Sequence, residues 1–249
     1  MYLKDFPLLT LVVSLGALWL AAELGDTLRK RVGPLKDEDR GDFGIVLGAT
    51  LTLLGLLIGF SFSMAVSRYD QRKNYEEAEA NAIGTEYVRA DLLLARDAAE
   101  VRELLKKYLD QRLLFYTTRD PRQLAKVNAD TAELQSNLWS AARAAQPTPT
   151  GALALSGMND VLNSQGYTQA AWWNRIPRSA WVLMVAIALG CNVLIGYGAR
   201  RTDQRIFLIV PIAVSISFFL IADIDSPRRG TIHVAPQNLL SLSQSLSAQ

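Results

Sequence analysis

Apolar residues fall in four long blocks separated by polar connections, and this pattern decides the fold class. The first block runs from about Phe6 to Leu24, long enough at about 1.5 Å per residue to cross the hydrocarbon core of a bilayer. It is longer than the apolar region of a usual signal peptide, and further blocks follow, so it is expected to be an uncleaved span. The second block, Phe43 to about Ser67, carries no charge before Arg68. The third is Ala180 to Ala199, with Trp172, Trp173 and Trp181 around its start and Tyr197 near its end. Those aromatic residues are expected at the bilayer interfaces. The fourth runs from Ile206 to about Ile224 and closes on Asp223 and Asp225. Pro211 near its start is tolerable, because neighbouring helices satisfy a carbonyl freed by proline. The pattern predicts an all-α integral membrane protein with four transmembrane helices.

The polar stretch between the second and third blocks reads as helices. Asp70 to Leu94 follows the second span with no proline and only Gly84 as a weak point, so the second helix is expected to continue out of the membrane. A helix over Asp97 to Thr117 places Leu104, Tyr108, Gln111 and Phe115 on one face. Asp120 and Pro121 mark the next start, with Asp as N-cap and Pro at the first helical position. That helix is expected to reach about Ala145, where Pro147 to Gly151 ends it. A further helix covers about Ala152 to Trp172, and a short extended piece is expected around Thr231 to Val234. The organisation expected is spans one and two in 1–67, a soluble helical domain in 68–178, spans three and four in 179–225, and a tail in 226–249. Both termini and the helical domain then share one side of the membrane. Basic residues flank both faces in equal number, so the positive-inside rule does not choose the side.

Charge and chemistry narrow the function classes. A formal charge of +2 argues against nucleic acid, which calls for a concentrated basic face. The one cysteine, Cys191, excludes an intrachain disulfide and any paired-cysteine metal site. The one histidine, His233, has no second ligand at metal spacing and reads as a surface residue. No phosphate-binding glycine loop and no nucleophile–base pair is legible. Glu76, Glu77 and Glu79 read as a solvated helix face, and Glu86, Arg89 and Asp91 as helix-surface pairing. No enzyme activity and no cofactor is expected.

The informative segment is Gly55 to Tyr69. Gly55, Gly59 and Ser63 recur every four residues, a small-residue ridge that lets helices approach closely. Beside it lies an apolar stripe of Thr52, Leu56, Phe60 and Met64. The plain reading is a tightly packed bundle. The sharper one is a ring of second helices, with the small ridge against neighbours and the apolar stripe forming a constriction that gates ions by dewetting.

The stretch GFSFSMAVSRY, Gly59 to Tyr69, together with the four-span layout, resembles the bestrophin family of channels. Gly59, Phe60, Ser63, Val66, Ser67, Arg68 and Tyr69 match that family's second span in order. SMAVSRYDQR, EANAIGTEYVRADLL (Glu79 to Leu93) and DIDSPRRGTIHV (Asp223 to Val234) are similar to a bacterial group of bestrophin-like domain proteins. The resemblance implies a homopentameric ion channel of the bacterial inner membrane, with lipid and permeant ions as partners and the helical domain in the cytoplasm. Thr52, Leu56 and Phe60 would occupy the family's neck positions, where Thr52 and Leu56 depart from its more aromatic pattern. Arg68 and Asp70 are candidates for the pore exit or selectivity. Animal members bind calcium just after the fourth span, where Asp223 and Asp225 stand here. Two carboxylates followed by Pro227, Arg228 and Arg229 fall short of the six to eight oxygens calcium takes, and they read as caps or arginine partners. The rival reading is a membrane-anchored sensor or scaffold whose helical domain binds a ligand or partner.

Overall fold

The computed structural model describes residues 6–144, 148–199 and 208–248. Among them the protein is all helix: α1 (Pro7–Val32), α2 (Arg40–Arg89), α3 (Ala95–Thr117), α4 (Pro121–Ala144), α5 (Pro149–Trp173), α6 (Arg178–Gly198), α7 (Ile209–Asp225) and α8 (Gln237–Ser247), with a 3-10 turn over Ala90–Leu92. Three stretches, Pro7–Val32, Arg40–Leu92 and Pro149–Gly198, are long and apolar enough to cross a membrane. The fourth apolar block appears as the 17 residues of α7, and its expected start at Ile206 lies outside the described residues. So do Ala145 and Pro147, where α4 is expected to end.

The chain divides into two compact units, the first Met1–Arg68 with Arg175–His233, the second Tyr69–Asn174 with Val234–Gln249. The expected tail of 226–249 is therefore shared between them. Its second part contains α8, a helix without a marked sequence signal, since Pro236 at its N-cap position offers no capping side chain.

In the first unit Leu18, Leu54, Met184, Ala188, Val214 and Phe218 form the core. α1 and α6 meet backbone to backbone. A Cβ on Gly25 would collide with the Val193 carbonyl, and one on Gly196 with the Ala22 carbonyl. Two glycines facing each other's helix backbones allow this approach, the small-residue device by which apolar helices pack in lipid.

In the second unit the core runs through Ile83, Leu105, Tyr108, Phe115, Leu138 and Met158. On α3 the buried stripe is Val101, Leu105, Tyr108, Arg112 and Phe115, with Arg112 where the sequence reading put Gln111. Periodicity favoured the neutral residue, but a buried carboxylate opposite makes the arginine the core member. Asp120 caps α4 by accepting from the Arg122 amide at 3.0 Å. The proline-rich segment starts a helix: Thr148 caps α5, its hydroxyl accepting from the Gly151 amide at 3.0 Å, with Pro149 in the first turn.

The three tryptophans expected at the interfaces meet different surroundings. Trp172 is buried in an edge-to-face cluster with Phe115 and Tyr116, and Trp181 packs edge-to-face on Phe218. Trp173 alone of the three is open, at 74% exposure. Thr231 to Val234 forms bends and coil rather than a strand.

The α1–α6 crossing carries a prediction. Gly25→Ala or Gly196→Ala should destabilise the protein by about 1–3 kcal/mol or more, as overpacking against backbone does. Gly166→Ala, where an added Cβ meets nothing within 4 Å, should be neutral or stabilise by about 0.5–1 kcal/mol. Thermal unfolding in detergent reads the difference; equal effects at the three sites would remove the close crossing.

Candidate functional site

The second helix presents two faces within the first unit. Leu54, Ser61 and Ala65 are buried, and at about 100° per residue these positions cluster within about 40° of one another. Thr52, Leu56, Phe60 and Met64, and equally Gly55, Gly59 and Ser63, are exposed. Phe60 is 62% exposed and Leu56 51%, although both are apolar. A Cβ built on Gly55 or Gly59 meets nothing within 4 Å, so the small ridge serves no contact among the described residues. Only 6% of the span-length apolar window of α2 is buried, against 28% in α1.

Below this surface, Arg68 leans on Asp225 at 3.8 Å and its side chain is mostly buried, whereas Asp70 is exposed. Asp225 also accepts from the Ile176 amide at 3.0 Å and lies 3.4 Å from the Arg175 Nε. It thereby joins the end of α7 to the segment entering α6. Asp223 accepts from the Thr231 amide and hydroxyl (2.8 and 2.9 Å) and from the Ile232 amide (2.8 Å). Gly230 lies so close to the Asp223 carbonyl that a Cβ there would collide with it. These contacts engage the two carboxylates with arginines and backbone amides. No group of three or more metal-ligating side chains gathers among the described residues. His233 is exposed, its Nδ1 at 3.1 Å from the Thr231 carbonyl.

The second unit holds what the sequence reading missed. Glu76 and Glu79, expected on a solvated face, are 1% and 0% exposed. Their positions explain this: Glu76, Glu79 and Glu86 alternate by three and four residues with Ile83 and Ala90, occupying the buried stripe of α2. The signal was present in the spacing and was masked by residue type. Each carboxylate meets a different setting. Glu76 accepts from the Asn238 amide group at 2.6 Å and the Leu239 backbone amide at 2.9 Å, capping α8 from another helix. Glu79 accepts from the Nε of Arg112, from the Thr168 hydroxyl at 3.1 Å and from the Tyr116 hydroxyl at 3.4 Å. Arg112 also lies over the Phe115 ring at 4.4 Å. Burial works against its charge, but Glu79, together with Tyr108 and Tyr116, outweighs this and holds the guanidinium above its usual range. Burial, reinforced by Glu79, raises the Tyr116 phenol well above the usual tyrosine range.

Glu86 differs from both. It is fully buried, and neither carboxylate oxygen finds a hydrogen-bond donor among the described residues. Its Oε2 fills the space where Gly157 lacks a Cβ, with Arg89 alongside. Burial raises its pKa to about 7; Arg89 opposes the shift and Asp160 adds to it. Asn81 and Thr85, by contrast, are exposed, on the rim of a groove that Asn238, Ser241 and Leu242 also line. The polar residues on this part of α2 thus fall into an inner set, Glu79 and Glu86, and an outer set, Asn81 and Thr85.

Comparison with known proteins places the whole chain. The family model described as Bestrophin-like domain matches residues 13–239. A crystal structure of a bacterial bestrophin homolog from Klebsiella pneumoniae, phased on zinc, superposes with a TM-score of 0.64 at 14% identity, covering 97% of each chain. Two point-mutant structures of a bestrophin homolog from the same organism give TM-scores of 0.64 and 0.65, again at 14% identity, with 97% of this chain and 98% and 97% of theirs covered. No curated protein matches the sequence.

Glu86 yields a pH prediction. An acid whose folded pKa lies above its ordinary 4.5 binds more protons folded than unfolded, so its burial weakens the fold as pH rises from about 4.5 to 7. Glu86→Gln should therefore raise the melting temperature at pH 8, with the gain shrinking toward zero near pH 4.5. A gain that does not vary with pH would show that Glu86 is not the titrating group.

Proposed function

Because this chain belongs to the Bestrophin-like family, we propose that it is a ring-shaped homo-oligomeric ion channel, pentameric, in a bacterial inner membrane. The observation that carries this reading is the uncovered face of α2, where an apolar stripe and a small-residue ridge lie side by side with no partner among the described residues. A single helix with polar ends gains nothing in lipid from a ridge of glycines. A ring of α2 helices uses both features. Gly55, Gly59 and Ser63 let neighbouring α2 helices approach closely, and Thr52, Leu56, Phe60 and Met64 line the neck. A narrow neck of that composition blocks ions by shedding water and opens when it widens.

In this reading α1, α2, α6 and α7 are the four spans, and the helical second unit lies in the cytoplasm. Asp223 and Asp225 act as structural anchors, with no metal role. Of the two charged candidates after the neck, Arg68 is neutralised locally by Asp225. Asp70 remains as the exposed charge, and a ring of it favours cations.

Two measurements test the proposal. Detergent-purified protein should appear as a five-fold ring by particle imaging or mass photometry; a monomer or dimer would leave no central pore and overturn it. In liposomes, Phe60→Ala should raise ion flux severalfold by widening the constriction, and unchanged flux in a conducting protein would place the gate elsewhere. Asp70→Asn should shift the reversal potential toward that of anions.

A further inference from the structure

The seam between α2 and α5 in the helical unit holds a buried carboxylate that no hydrogen bond stabilises. Glu86 is fully buried, and neither of its oxygens has a donor among the described residues. It occupies a notch that exists only because α5 carries glycine at 157; a Cβ on Gly157 would collide with the Glu86 Oε2 and the Arg89 guanidinium. The charges around the notch stand on opposite sides of the seam. Arg89, which favours ionised Glu86, belongs to the same helix and is half-buried, whereas Asp160, which disfavours it, belongs to α5. From α3, Arg102 and Lys106 lie over the ring of neighbouring Tyr87, and Arg102 also pairs with Asp91 of the 3-10 turn. α8 carries no ionisable side chain. Ionised Glu86 is therefore drawn toward its own helix and pushed away from α5, and the neutral acid feels neither force.

α5 is held unevenly along its length. Its C-terminal half is tied by the Thr168 hydroxyl, which donates to Glu79 at 3.1 Å, and by Trp172 in the cluster with Phe115 and Tyr116. Over 149–157 the buried residues are Gly151, Ala154 and Gly157, and the first large one is Met158. Small residues bury little apolar area, and segments with few apolar contacts open at low free-energy cost.

We infer that Glu86 and the Gly157 notch form a proton-operated latch: protonated Glu86 lets the first half of α5 lie on α2, and loss of the proton releases it. Burial raises the Glu86 pKa to about 7, so the latch turns in the neutral range. Once released, the carboxylate reaches water and Arg89, and its pKa returns toward the ordinary 4.5. The docked form binds the proton more tightly, so it is favoured below neutral pH, and each pH unit above about 7 favours release about tenfold. The latch lies within the helical unit and does not depend on whether the protein conducts ions.

The test is hydrogen–deuterium exchange of the full chain in detergent, read by mass spectrometry across neutral pH and corrected for the base dependence of the exchange chemistry. Peptides covering 149–161 should show an opening constant that is flat in the acid range and rises about tenfold per pH unit above about 7. Peptides from α4 and from the C-terminal half of α5 should not follow. Glu86→Gln, which keeps the shape and removes the charge, should hold 149–161 at its low-pH protection throughout. A rise shared by the whole helical unit would mean that ionised Glu86 only lowers global stability, and it would overturn the latch. No rise at all overturns it too, as does a rise that persists in Glu86→Gln. The first two outcomes are read on the unmodified protein, so they decide the matter should the variant fail to fold.

Discussion

A carboxylate removed from water must find donors or give up its charge, and that constraint organises the helical unit around α2. Glu76, Glu79 and Glu86 all lie on its buried stripe, yet each is dealt with differently. Glu76 holds the start of α8. Glu79 gathers Arg112, Thr168 and Tyr116 from α3 and α5. Glu86 has no donor among the described residues, and its pKa near 7 is the physical answer to that lack. Breaking a buried pair such as Glu79 and Arg112 by removing one partner costs about 3–5 kcal/mol, because the other charge is left stranded. The polar stripe therefore specifies which helices meet α2 and in what register, a task a uniform run of leucines would leave open.

The same helix obeys a different rule in the first unit. There it turns apolar residues outward and keeps glycine where no intramolecular neighbour demands it. A surface of exposed Phe60 and Leu56 is tolerable only against lipid, another copy of the chain, or both. The Asp223 and Asp225 contacts tie the end of α7 to the chain that follows it and to the segment entering α6. The stretches that carried the sequence resemblance now have physical content: DIDSPRRGTIHV is a turn tied by Asp223, Gly230 and Thr231, and EANAIGTEYVRADLL contains two of the three buried carboxylates.

Helix positions and the apolar blocks were legible because period and length report them directly. The outward stripe of α2 was legible for the same reason. What was not legible depends on partners distant in sequence. Glu79 reads as a surface residue until Arg112 is placed opposite it, and Gln111 is the more plausible core residue until Glu79 is known to be there. Trp172 and Trp173 are adjacent and chemically identical, and only the aromatic cluster of Phe115 and Tyr116 separates their fates. Gly25 ends a small-residue ridge of Ala17, Ala21 and Gly25 on α1, but its partner Gly196 lies 171 positions away, so the crossing itself is not legible. α8 escaped notice since its cap is supplied by Glu76 rather than by its own first residues.

That borrowed cap has a consequence for the order in which the protein matures. Glu76 and Leu239 are separated by 163 positions along the chain, and synthesis at about 5–20 residues per second separates their appearance by about 8–30 s. Throughout that interval α2 is already made, with a carboxylate on its buried stripe that its eventual partner cannot yet reach. Water, or a protein that shields nascent chains, has to serve Glu76 until α8 arrives. Docking of α8 is thus a late event in biogenesis, and it marks the point at which the helical unit no longer needs such shelter.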